Sequence, residues 1–124
     1  MSEGPKARDR GQAAVEFAIA LPMVLILMLG IVQVIVVARD QIAVELAARE
    51  GARAAAVAAS PSAAASRAAN QAISLRPLDI DVTTSIDQVT VTVSHHNDTD
   101  VPLIGPLIRS IGLQATVTMQ REPP

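Results

Sequence analysis

Between Phe17 and Ala38 the chain reads FAIALPMVLILMLGIVQVIVVA, 22 residues without a charge. As a helix this stretch is about 33 Å long, enough to cross a bilayer core of roughly 30 Å. It is apolar around its whole circumference apart from Gln33, which argues against an amphipathic helix lying on a surface. A buried core helix would need a large surrounding shell, and a chain of 124 residues leaves room for one domain at most. The sequence therefore predicts one membrane-spanning helix. Pro22 within it removes a backbone donor, which membrane helices accommodate where neighbouring groups take up the freed carbonyl. Gly30 offers a place for close helix approach.

The flanks suggest an orientation. Lys6, Arg8 and Arg10 precede the span, and Arg39 follows it among Asp40, Glu45, Arg49 and Glu50. The slight excess of Lys and Arg on the short N-terminal side predicts a cytoplasmic N-terminus, with the C-terminal two-thirds outside. A cleavable secretory signal has a shorter apolar region closed by a small-x-small site. Here the run is longer and meets Arg39 and Asp40 without such a site, so stable anchoring in the inner membrane is expected.

Composition narrows the chemistry. Half the residues are apolar, yet there is one Phe and neither Trp nor Tyr, so packing must rely on small side chains rather than aromatic bulk. Without a basic patch interleaved with aromatics, nucleic acid has no footprint. Without Cys there is no disulfide framework and no thiolate metal site. His95 and His96 lie near Asp98 and Asp100, but adjacent strand residues point to opposite faces, and a polar turn is expected rather than a metal site. No Ser-His-Asp spacing, phosphate loop or dinucleotide fingerprint occurs. The expectation is a protein that is not an enzyme and needs no cofactor or metal.

Just ahead of the span the chain reads RGQAAVEFA. A basic, flexible leader ending in Gly11 can lie extended in a protease cleft, because Gly adds no obstructing side chain. A cut between Gly11 and Gln12 leaves a new amine at Gln12, with the Glu16 carboxylate one helical turn on. A carboxylate at the edge of an apolar helix is costly in lipid unless paired, and the free amine of a neighbouring subunit is a natural partner. Phe17 then anchors the start of the apolar run.

The stretch RGQAAVEFAIALPMVLILMLGIVQ, followed by AAREGARAA, resembles the N-terminal region of TadE-like proteins. These are minor pilins or pseudopilins of the tight-adherence branch of type IV pilus systems. The resemblance covers about Gly11 to Ala59, with Phe17 where Tyr is commoner in that branch. It implies processing by a prepilin peptidase, with Gly11 before the cut, Gln12 the new N-terminus and Glu16 the acidic fifth residue. It also implies a long helix, half in the membrane, packing with other pilin-like subunits and the assembly platform. The alternative is an uncleaved, single-pass accessory or binding protein of such a system; a third reading is a secreted domain released by signal peptidase.

Beyond Ala38 the pattern stays helical and rich in Ala. Glu45 with Arg49, and Glu50 with Arg53, have ion-pair spacing. Ile42 and Leu46 share a face, and Gly51 is a point where the helix would loosen. Ser60 can cap and Pro61 can open a second helix running to about Leu75. Three segments of period two follow: Leu78, Ile80, Val82; Val89, Val91, Val93; and Leu113, Ala115, Val117, Met119. Each sets its apolar residues on one face of a half-buried antiparallel sheet, which the helices must cover. The apolar segment 100–112, broken by Pro102, Gly105, Pro106 and Gly112, is expected to be a loop over the sheet edge, with a hydrophobic docking surface as the sharper reading. The predicted fold class is α+β: a leader (1–11), a transmembrane and extended helix (12–59) and a small extracytoplasmic α+β region (60–124).

Overall fold

The computed structural model describes residues 6–97 and 111–122. In chain order these form α1 (Lys6–Val57), α2 (Pro61–Ala72), β1 (Leu78–Thr84), β2 (Gln88–Asn97) and β3 (Ile111–Gln120). The α+β class and the three-stranded antiparallel sheet, in the order β1-β2-β3, are as the sequence predicts. The chain divides into two compact units, one up to Val37 and one from Ala38 onward.

The first unit is helical through the apolar run. α1 is long and apolar enough to cross a membrane, and every side chain from Asp9 to Val32 is exposed. Such a surface cannot be left in water and needs a covering of lipid or of other helices.

The second unit packs the rest of α1, α2 and the sheet around a core of small residues. On α1 the buried positions are Val44, Ala47, Ala48, Gly51, Ala52, Ala55 and Ala56. They recur at intervals of three and four, which makes one helical stripe. Ala65 and Ala69 of α2 are fully buried as well. From the sheet come Val89, Val91 and Val93, all 0% exposed, with Leu113 and Ala115. Antiparallel register sets them in rows across the strands: Val82–Val91–Val117, Ile80–Val93–Ala115 and Leu78–His95–Leu113. The opposite face carries the polar set, where Thr90 hydrogen-bonds Thr118 at 2.9 Å and Thr92 bonds Thr116 at 3.1 Å. Gln41 Nε2 of α1 donates to the Gln114 carbonyl at 3.3 Å, and the Glu122 N–H donates to the Ala56 carbonyl at 3.2 Å.

The structure corrects the sequence reading in several places. Gly51 does not loosen α1. It is buried inside the helix, and a β-carbon there would come within 3.3 Å of both Val91 Cγ1 and the Ala65 carbonyl oxygen and 3.7 Å of Ala69 Cβ. Ile42 and Leu46 share a face, and it is the exposed side of α1, at 68% and 45% exposure, because the packing stripe begins at Val44. α2 ends at Ala72, not Leu75. Ile73 is extended (φ −137°, ψ 159°), and Arg76 takes over the chain's exit from the helix. Its guanidinium donates to the carbonyls of Asn70 (2.9 Å), Ile73 (3.2 Å) and Leu75 (2.6 Å), a cation meeting carbonyls that a helix C-terminus leaves open. Ser60 sits at the N-cap without a side-chain cap bond, although Pro61 does open the helix. β3 starts at Ile111, so Ile111 and Gly112 belong to a strand; residues 98–110, which include Asp98 and the rest of the expected apolar loop from Asp100, lie outside the described residues.

Candidate functional site

The residues singled out ahead of the span fall on consecutive turns of α1. Gly11 lies inside the helix with nothing within 4 Å of the place a β-carbon would take. The flexible leader expected before it is helical from Lys6. With Arg10 before it and Gln12, Ala13 and Ala14 after it, all good helix formers, the helix extends readily past a single Gly. A protease that binds extended chain must therefore unwind at least the turn around Gly11.

One turn on, the Gln12 side-chain amide Nε2 donates to Glu16 Oε1 at 3.2 Å. The i,i+4 spacing puts both side chains on one helix face, and the amide supplies one of the hydrogen bonds that a carboxylate beside an apolar surface requires. Sequence reasoning placed Gln12 only as the residue after the cut and did not find this contact, although the spacing alone could have signalled it. Glu16 is the only charged residue between Arg10 and Arg39. Phe17 follows with 67% of its surface exposed.

Pro22 lies within the continuous helix. Gly30 opens a notch on the helix surface flanked by Ile26, Leu27, Ile31, Val34 and Ile35, where the missing side chain leaves space unfilled. A facing helix could approach closely there, as membrane helices do at small residues.

His95 and His96 are strand residues, not a polar turn. His95 points into the core, 4% exposed, with Nδ1 2.8 Å from the Pro77 carbonyl. That carbonyl can only accept, so Nδ1 carries the proton. His96 points outward and is exposed. The two rings thus serve opposite faces, and among the described residues no group of three His, Asp or Glu is placed to hold a metal ion.

With this geometry in view, comparison with known families is specific. The family model described as TadE-like protein matches residues 11–53. The match runs from Gly11 through Gln12, Glu16, Phe17, Pro22 and Gly30 to Arg53, on the uncut helix α1 and short of α2 and the sheet. No curated protein matches the chain. No solved structure matches it either.

Proposed function

We propose that this chain, TadE-like over residues 11–53, is a minor pilin or pseudopilin that takes part in assembly of a tight-adherence pilus. It is held in the inner membrane by the apolar part of α1, N-terminus in the cytoplasm, until a prepilin peptidase removes residues 1–11. The subunit is structural and not catalytic. Its partners are the bilayer, the peptidase, other pilin-like subunits and the assembly platform.

Glu16 carries the reading. It is a lone carboxylate at the threshold of a 22-residue uncharged helix, bonded within its own chain to the Gln12 side chain at 3.2 Å. Before assembly the Gln12 amide relieves part of the cost of leaving an acid beside lipid. After cleavage the amine newly made at Gln12 of one subunit meets Glu16 of the next, and an ammonium–carboxylate ion pair replaces a bond from a neutral amide. The exchange favours assembly and fixes axial register. The Gly30 notch and the surrounding apolar surface admit neighbouring helices.

A second reading, an uncleaved membrane-anchored accessory protein, draws support from the helical backbone at Gly11, which is not the form a protease binds. N-terminal sequencing after co-expression with a tight-adherence prepilin peptidase separates the two. The pilin reading expects a chain beginning at Gln12; full-length protein in the presence of active peptidase would leave the accessory reading standing.

A further inference from the structure

The second unit holds a cleft of about 310 Å³ between α1 and the exit of α2, lined by Arg39, Asp40, Ala43, Ala72, Ile73, Ser74 and Leu75. Its size is at the lower end for small-ligand sites. The floor carries one guanidinium and one carboxylate on adjacent residues, and neither is paired by a hydrogen bond or ion pair among the described residues. The opposite wall is fixed: Arg76 clamps the carbonyls of Asn70, Ile73 and Leu75, so the Ser74 hydroxyl is presented on a braced turn. Ala43, Ala72, Ile73 and Leu75 supply the apolar remainder. Arg39 is the first charged residue after the uncharged run Phe17–Ala38, which is where the headgroup layer of a bilayer begins.

We propose that this cleft binds the headgroup of a phospholipid bearing a primary ammonium, of the phosphatidylethanolamine class. The phosphate accepts from the Arg39 guanidinium, whose forked donors suit phosphate oxygens. The ammonium donates to the Asp40 carboxylate and the Ser74 hydroxyl. A cleft with both signs of charge matches a headgroup with both signs. An anionic headgroup without an amine sets its negative charge against Asp40, and a choline headgroup cannot donate a hydrogen bond to it. The inference goes beyond pilus assembly and is independent of leader cleavage; it rests only on the membrane anchor.

The test is native mass spectrometry of the full chain released from nanodiscs containing equal parts phosphatidylethanolamine, phosphatidylglycerol and phosphatidylcholine. The wild type is expected to retain the ethanolamine lipid about tenfold over either competitor, as charge-assisted hydrogen bonds discriminate. Arg39→Gln abolishes retention of all three. Asp40→Asn keeps binding but loses the preference for the ethanolamine lipid. Arg49→Gln, on exposed helix surface outside the cleft, changes nothing. Melting of each variant, followed by circular dichroism, confirms that the fold is intact. Retention in proportion to supply by the wild type, or an undiminished ethanolamine preference in Arg39→Gln or Asp40→Asn, overturns the proposal.

Discussion

Gly51 lies against Val91, so close that a β-carbon on the glycine would stand 3.3 Å from Val91 Cγ1. α1, α2 and β2 meet at this point, since the Ala65 carbonyl is equally near and the Ala69 methyl is 3.7 Å away. The approach sets two effects against each other in a substitution. Gly51→Ala gains about 0.5–1 kcal/mol of helix propensity. The tight contact with the Ala65 backbone then offsets most of that gain, and the net change in stability is expected to be within about 0.5 kcal/mol. Gly51→Val adds volume that neither the carbonyl nor the buried Val91 can yield to, and should cost roughly 1–3 kcal/mol. Thermal unfolding of the full chain in detergent, followed by circular dichroism, measures both; a Val variant as stable as the parent would contradict the packing.

His95 and His96 are neighbours in sequence with opposite demands. His95 fills the core row between Leu78 and Leu113 and satisfies the Pro77 carbonyl. Its replacement by Ala leaves a cavity and an orphaned acceptor, and should cost about 2–4 kcal/mol. His96→Ala, on the outer face, should stay within about 0.5 kcal/mol. Ring-nitrogen NMR gives a separate check: Nδ1 of His95 should carry a proton. A proton on Nε2 instead would remove the donor from the Pro77 bond.

The contrast shows what the sequence made legible. Period two located the three strands and the face each buries, because alternation is imposed by the pleat itself and Val91 or Val93 has nowhere else to point. The uncharged run marked the membrane helix for an equally local reason. The buried stripe on α1 was less visible. Ile42 and Leu46 are the larger apolar residues, yet the core takes Val44 and a series of alanines, since a sheet can come close to a helix only where side chains are small. Gly51 read as a weak point because propensity speaks of an isolated helix, whereas the glycine is selected by what approaches from β2. The exit of α2 was set by Arg76 through carbonyl contacts up to six residues back, which spacing alone does not encode. For the candidate site, the order of Gly11, Gln12 and Glu16 was readable, and their spacing already allowed the Gln12–Glu16 bond, but the helical state of Gly11 was not readable.

That bond leads to a prediction about assembly. Glu16→Ala should insert normally, since it makes the helix more apolar, but should lower piliation sharply because the incoming amine finds no partner. Gln12→Ala removes the intrachain donor while leaving the amine. It should therefore leave assembly within about threefold of the parent, roughly 0.6 kcal/mol, on the scale of one exposed hydrogen bond. Pilus yield sheared from cells and immunoblotted is the readout. Normal piliation in Glu16→Ala would remove the register role.

Gly11 offers a way to separate local unwinding from the shape of the protease cleft. The chain there is helical, with nothing within 4 Å of the place a β-carbon would take, so under the proposed processing the cut draws on the small population in which this turn has opened. Gly11→Ala adds one methyl and stabilises the helix by up to about 1 kcal/mol, which reduces the open population and should slow cleavage roughly fivefold. Gly11→Val has a helix propensity between those of Ala and Gly, and would cleave at an intermediate rate if unwinding were the whole barrier. The expected result is instead that Val blocks cleavage, because the cleft accepts no branched side chain beside the scissile bond. Rates from a timed immunoblot with peptidase co-expressed give the order directly. Gly faster than Ala, with Val uncut, supports both steps; Val cut faster than Ala would assign the barrier to unwinding alone.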